Sequence, residues 1–528
     1  MPFERLNGAG VMVVTGGPLR GLRVVDCSVH MAGARATGLM AAYGADVLWI
    51  EPPGGSPLRR QAPEGASVCN RNKRSVILDV DVDVDVADPV PRDSLHRLLE
   101  DADVFVETWD RDGAQAFGLG APELHARHRG LVSCSITGFG RDGPHRDVAS
   151  REALVHALVG TMGEQAGHRD GPIFEGLPQA GLGASYLALL GTLAALYRRS
   201  YDGVGRHVET SLLDGALAYH SMLWSESDAS VAAMAAKGGG PNSTVGTRLI
   251  TRSFVCSDGH YIGIHTGAVG AFGRLMEVLE LDDRIPPSAS GLDMGEPLTP
   301  DQIELLETEL HRRIAAHPRA HWVELLRRAE VCAIEHLSPT EVFDQPQAQH
   351  NGMVVEIDDP VLGRVQQVGI PAKFPSLRTV VPLRAPVPGE HTEEVLAGGW
   401  GGPHLWPPGS AAVPSPPRER PLLEGVKILD IGAYFAGPFS SRLLVDLGAD
   451  VIKLEPPQGD QLRGIDQCFF PAQAGKRSIA MDLKDPALRG QPSIDCSHGP
   501  TSSTTICVPG QRNVSGWPTT TSAPPTPG

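Results

Sequence analysis

GLRVVDCSVHMAGARATGLMAAYGADVLWIEPP, residues 21–53, closing with NRNKRSVILD at 70–79, is the stretch from which the rest of this chain is read. Val24 and Val25, then Val47, Leu48 and Ile50, form short apolar runs rich in β-branched residues. Between them, Met31 to Tyr43 is rich in alanine and places its apolar residues at helical spacing. Strand, helix, strand in that order begins an open α/β sheet. Asp26 ends the first strand at its carboxyl edge, where such sheets receive ligands. The turn lacks the G-x-G-x-x-G pattern, so nothing in it indicates a dinucleotide.

The stretch returns as GVKILDIGAYFAGPFSSRLLVDLGADVIKLEPP at 425–457 and GKRSIAMD at 475–482. Gly21 matches Gly425, Asp26 matches Asp430 and Glu51-Pro52-Pro53 matches Glu455-Pro456-Pro457, all at one offset of 404. One residue is then lost, and Lys73-Arg74-Ser75 matches Lys476-Arg477-Ser478. A repeat this long predicts two copies of a domain rather than a solenoid. The second copy begins near residue 421 and is expected to be partial. After residue 490 the chain turns rich in Ser, Thr and Pro without periodicity, so 491–528 reads as an unstructured, out-of-frame tail.

Of the 528 residues, 41% are hydrophobic and 20% charged, a globular balance, and the net charge of −16 argues against a nucleic-acid surface. The eight cysteines form no C-x-x-C pair, so neither zinc nor a disulfide framework is indicated. Residues 1–20 read as a loose leader without an apolar signal core, and no run reads as long enough to span a bilayer. A cytoplasmic chain with no membrane partner is the expectation. Asp79 to Asp85 alternates Asp and Val but lacks the Gly and the final Glu of a calcium loop, so no metal is expected.

Beyond the first unit, Ser94 to Glu100 reads as a helix and Val104 to Val106 and Leu131 to Ile136 as strands, an alternation that favours a parallel sheet covered on both faces. Ala153 to Met162 and Gly183 to Tyr197 read as apolar helices, Asp214 as an N-cap, and 301–331 as two amphipathic helices. Residues 399–420 hold Gly-Gly, Pro-Pro and Ser-Pro pairs and read as a linker. The densest cationic run, Asn70-Arg71-Asn72-Lys73-Arg74, reads as a phosphate clamp because the repeat reproduces Lys-Arg-Ser.

These pieces, with DADVFVETW, LVSCSITGFGRDGP, GTLAALYRR, GRHVETSLLDGAL, DGHYIGI and HNGMVVEIDDP, occur in an order that resembles the class III CoA-transferases, the family that also holds formyl-CoA transferase and α-methylacyl-CoA racemase. The resemblance covers about residues 20–397. It implies an α/β fold: a Rossmann-like large domain (about 21–220 plus 370–398), a smaller α+β domain (about 240–369), and an interlocked homodimer. The span 421–490 is then a partial second domain. The resemblance also implies that CoA or acyl-CoA binds as substrate, with no permanent cofactor and a carboxylic acid as the other partner. Carried over by motif, the CoA contacts are Met31, Ala32, Asn72, Lys73, Arg74, Thr108, Trp109, Thr137 and Gly138, and Gly238, Gly239 and Gly240 form a flap.

The chemistry implied is covalent: an Asp attacks the acyl-CoA thioester, giving a mixed anhydride and then an enzyme-bound thioester. Its position falls at Ala180 or Gly181, where no acid stands; Asp170 and Glu175 lie just upstream as weak candidates. The His-Asp pair of the racemase branch falls on Arg151-Glu152, so its histidine is missing. The expectation is CoA transfer impaired by the missing Asp. The alternatives are a non-catalytic CoA-binding half of a tandem enzyme, and an acyl-CoA racemase or lyase-like member.

Overall fold

The computed structural model describes residues 16–79, 89–109, 111–164, 171–220, 248–288, 297–377, 380, 382–401, 404–406, 420–460, 463, 466–482 and 505–508. They group into two units, residues 1–227 with 355–528, and residues 228–354.

The first unit is built on a six-stranded sheet: β1 (Arg23–Cys27), β2 (Asp46–Glu51), β3 (Arg74–Ile77), β4 (Val104–Glu107), β5 (Val132–Thr137) and β6 (His207–Ser211). Every pairing is parallel and the order is β3-β2-β1-β4-β5-β6, so the direction of winding reverses between β1 and β4. Successive residues of a strand face opposite sides. Val24, Val47, Val104, Val132 and Cys134 therefore enter one core, and Val25, Leu48, Ile50, Val76 and Phe105 enter another. Both faces need a helical cover, which explains the near-continuous apolar strands.

The first face is covered by the helices Met31–Ala42 and Gln179–Asp202, whose Ala32, Ala36, Ala184, Ala188 and Ala195 let them approach the strands closely. The helix Leu212–His220 crosses the second of these at Gly215, where an added Cβ would lie 2.2 Å from Ala184 N. Contrary to the reading that no run could span a bilayer, Gln179–Asp202 is 24 residues long with mean hydropathy 1.5, and half of its apolar window is buried. Here its apolar residues serve the core. The other face is covered by Leu95, Leu98 and Leu99 of the helix Pro89–Glu100.

Several boundaries differ from the reading of the sequence. The cap of Leu212–His220 is Ser211, whose hydroxyl accepts from Asp214 N at 3.0 Å and donates to Asp214 Oδ2 at 2.8 Å, so Asp214 is the third residue of the helix and not its cap. The hairpin of β10 (Val354–Asp359) and β11 (Gly363–Val368), expected in the smaller domain, groups almost wholly with the first unit. The reason is Ser67, which donates to Asp359 Oδ2 at 2.8 Å and accepts from Gln367 Nε2 at 2.9 Å. Part of the expected linker is also core. Trp400 is buried and donates to Leu98 O at 3.2 Å, and His404 reaches Asp103 at 3.0 Å. Leu19, in the expected leader, is buried as well.

The second copy forms its own parallel sheet, with β12 (Lys427–Asp430), β13 (Asp450–Glu455), β14 (Arg477–Ala480) and β15 (Thr505–Val508) in the order β14-β13-β12-β15. Lys427 pairs with Asp450 as Arg23 pairs with Asp46. β15 takes the place beside β12 that β4 takes beside β1, so those four residues depart from the unstructured tail expected after 490. The sheet seats on the first unit's long helix: Ala194 is buried with Leu423, Val426, Ile428, Ala449 and Val451.

The unit 228–354 holds a three-stranded antiparallel sheet, β7 (Thr251–Val255), β8 (Tyr261–His265) and β9 (Cys332–Glu335), around a core of Phe254, Phe272, Leu310, Trp322 and Leu326. The two amphipathic helices are Pro300–Ile314, opened by a Thr299–Gln302 capping box, and Arg319–Arg328.

Candidate active site

Strand edges decide where the site lies. At the carboxyl ends of β1, β4 and β5, where the winding reverses, the loops part and leave a cleft of about 630 Å³. Val29 and His30 line it after β1, Thr108 and Trp109 after β4, and Thr137 and Gly138 after β5; the loop that follows closes it with Arg141, Arg146, Ser150 and Arg151.

The floor is held by polar contacts that fix the loops. Thr108 Oγ1 accepts from Val29 N at 2.9 Å, tying the ends of β4 and β1 together. Thr137 Oγ1 accepts from Gly140 N at 2.9 Å. Trp109 donates its amide to Glu107 Oε2 at 2.6 Å and stacks on Phe117 with centroids 5.6 Å apart. Glu107 also takes hydrogen bonds from Arg141 and Ser135. Burial pushes its carboxyl upward, and Arg141, Ser135 and the Trp109 amide oppose that. Gly138 has to be glycine for space, since a Cβ there would stand 2.6 Å from Ser150 Oγ.

Four of the residues carried over by motif, Thr108, Trp109, Thr137 and Gly138, thus share one cleft. Met31 and Ala32 begin the helix directly after His30, next to it in sequence. Within the cationic run, Lys73, Arg74 and Asn72 are engaged by the protein itself, whereas buried Arg71 keeps an Nη1 without a hydrogen-bond partner among the described residues. Lys73 Nζ is fully buried, bound to Asp26 Oδ2 at 2.8 Å, Thr37 Oγ1 at 2.8 Å, Asn70 Oδ1 at 2.7 Å and Ala34 O at 3.0 Å. Arg74 holds Asp46 through both oxygens and Trp400 O at 2.9 Å. Asn72, at φ 62°, accepts from Leu383 N at 3.2 Å.

The second copy shows why Lys-Arg-Ser is repeated. Lys476 binds Asp430 at 2.8 Å as Lys73 binds Asp26. Arg477 binds Asp450 as Arg74 binds Asp46. Arg463 and Ser478 hold Glu455 as Arg59 and Ser75 hold Glu51. These contacts lace strands together in both sheets, so the repetition records folding.

Besides Arg141, which is tied to Glu107, the arginines that face the cleft are Arg146 and Arg151. Arg146 is half-exposed and pairs only loosely with exposed Asp147, at 3.3 Å. Arg151 is exposed, and its charge, after burial, holds His30 below the ordinary imidazole value. Sequence reasoning overlooked both because they are spaced singly through GRDGPHRDVASR, 140–151, and form no run.

The start of the long helix faces the carboxylate of Glu152, which opens the helix Glu152–Val159. Ala180 N donates to Glu152 Oε1 at 2.7 Å, and Gly181 N lies 3.2 Å from Oε1 and 3.1 Å from Oε2. His156 Nε2 stands 3.2 Å from Glu152 Oε1, and His156 Nδ1 is 2.9 Å from Thr161 Oγ1 and 3.6 Å from Glu175 Oε2. Glu175 is buried behind this histidine. Asp170 and the Gly238–Gly240 flap lie outside the described residues. The thiols under the cleft are poor nucleophiles: burial pushes Cys134 up to about 12, and burial with Asp26 and Glu107 raises Cys27 well above the usual thiol value.

The model of CoA-transferase family III matches residues 19–392 and again 423–491. A human succinyl-CoA:glutarate CoA-transferase is 26% identical over 387 residues, covering 72% of this chain and 85% of that protein. The CoA-transferase/lyase DddD of Marinomonas is 26% identical over 516 residues, covering 88% of this chain and 60% of its own length. The crystal structure of a CAIB/BAIF family protein from Brucella suis superposes with a TM-score of 0.58 at 24% identity, over 72% of this chain and 99% of that one.

Proposed function

The chain belongs to CoA-transferase family III, and on that premise we propose that it moves CoA between an acyl-CoA and a carboxylic acid, seating the thioester in the cleft at the ends of β1, β4 and β5. The observation that carries this reading is the convergence of Thr108, Trp109, Thr137 and Gly138, drawn from two separate motifs, on that one cleft. Relatives named for succinyl-CoA and glutarate favour short dicarboxylic acids as substrates. Arg146 and Arg151 are the side chains we assign to phosphate or to a free carboxylate, because both can turn outward without breaking a buried pair. The homodimer belongs to the same proposal. Exposed Leu154, Leu158, Leu177, Leu182 and Tyr186 give a second copy an apolar face to cover, and light scattering at two concentrations tests it.

Calorimetry with CoA tests the cleft. The intact chain should bind, and Arg146→Ala with Arg151→Ala should weaken binding roughly tenfold per lost charged contact. Transfer from succinyl-CoA to glutarate, followed by chromatography of the thioesters, tests the reaction. No heat from CoA at any concentration would refute the reading. A second reading, a CoA-binding half without turnover, draws on one observation: Gly181 has no side chain.

A further inference from the structure

We infer that Glu152 is the carboxylate that carries the acyl group and then CoA. This rests on the cleft taking a CoA thioester, and it makes the missing acid at 181 a relocation rather than a loss.

Three observations bear on it. The first is position. A Cβ built on Gly181 would stand 3.1 Å from Glu152 Oε2. The Glu152 carboxylate therefore fills the space that a side chain at 181 would enter, reaching it from the facing helix Glu152–Val159. It follows directly on Ser150 and Arg151, which line the cleft, and 24% of its side chain remains exposed.

The second is polarity. The two amides at the start of a 24-residue helix point at this carboxylate, and that end carries partial positive charge. They can stabilise an oxyanion formed when its carbonyl carbon is attacked. Oε1 already takes the Ala180 amide and faces His156, whereas Oε2 has only Gly181 N at 3.1 Å. Oε2 is thus the freer oxygen for attack.

The third is an unfilled acceptor in the same cluster. Glu175 Oε2 is buried, its side chain 3% exposed, and has no hydrogen-bond partner among the described residues, His156 Nδ1 standing 3.6 Å away. A buried carboxylate oxygen left this way costs free energy until a donor arrives. The cluster as it stands is one donor short, which is expected of a site that a substrate completes.

The steps balance with no further reactant. Glu152 Oε2 attacks the thioester carbonyl, the C–S bond breaks, and the CoA thiolate leaves with the electron pair, giving an acyl-glutamyl anhydride. The thiolate attacks the Glu152 carbonyl carbon, and the donor acid leaves as its carboxylate. The acceptor carboxylate attacks the resulting glutamyl-CoA thioester and expels the thiolate. The thiolate then attacks the acceptor's acyl carbon, releasing the new acyl-CoA and free Glu152.

The test incubates the full chain with succinyl-CoA, glutaryl-CoA or acetyl-CoA, traps with hydroxylamine, and maps the hydroxamate by peptide mass spectrometry. Calorimetry with CoA runs in parallel. The expected result is a hydroxamate at Glu152, absent in Glu152→Gln and retained in Glu175→Gln, with transfer falling at least about a thousandfold in the former. Gly181→Asp in a Glu152→Ala background should restore labelling, now at position 181. A label on any other acid overturns the inference. So does CoA binding without a label from any of the three thioesters, which leaves the non-catalytic half standing. Failure to bind CoA removes the cleft reading and this inference together.

Discussion

Replacing Lys73 by methionine separates a folding role from a binding role. The ammonium is wholly buried, with three N–H donors shared among four acceptors at 2.7–3.0 Å, the charged one being Asp26 at 2.8 Å. Methionine keeps most of the length and removes the charge. Asp26 is then left with Ser28 N and Thr37 Oγ1 as donors and no counter-charge, at a site without solvent. Stranding one partner of a buried pair costs about 3–5 kcal/mol. At about 1.2 °C per kcal/mol for a unit of roughly 400 residues, the melting midpoint should fall by roughly 4–6 °C. Calorimetric or dichroism melts of Lys73→Met, Asp26→Asn and the double variant measure it, and the double variant should recover part of the loss. CoA affinity measured well below the midpoint should change less than twofold, since Lys73 does not line the cleft. An unshifted midpoint with CoA binding abolished would refute the assignment and return Lys73 to the phosphate.

Two further outcomes follow from contacts elsewhere. His96 stacks on His128 with ring nitrogens 3.1 Å apart, and burial, with Arg127 and His128 adding, lowers it from 6.5 to about 4. The unfolded chain takes up that proton first, so stability should be full above pH 6.5 and fall as pH drops toward 4; His96→Gln should flatten this slope in urea titrations. Ala194→Asp puts a charge into the contact with Leu423, Ile428 and Val451, and limited proteolysis should then remove the segment after residue 420 while the six-stranded sheet stays protected. Equal protection in variant and parent would argue against that seat.

The sheet was legible because its information is local. β-branched runs, an alanine-rich helix between them and a repeat with one offset sufficed for β1, β2 and their duplicates. The cleft residues near β4 and β5 were legible only through the resemblance, since Thr108 and Gly138 carry no pattern of their own. What failed was charge. A cationic run looks the same in sequence whether it meets phosphate or a buried Asp, and Lys73 is separated from Asp26 by 47 residues. The contact of Glu152 with Gly181 was not legible for the reverse reason: it spans 29 residues, and nothing in its own neighbourhood predicts it. The packing of Trp400 on Leu98 joins residues 302 apart, beyond what a linker-like composition reveals.

The pairs laced through both sheets have a consequence for what kinship means here. The motifs most faithfully doubled, from the strand aspartates to Lys-Arg-Ser, pair within each sheet, the Lys–Asp pair buried in both copies and the Arg–Asp pair exposed in the second. Kinship is therefore written here in side chains that hold each sheet together. Descent of this chain is thus secure whether or not it turns over, and its catalytic standing has to be judged from a handful of atoms around one helix start.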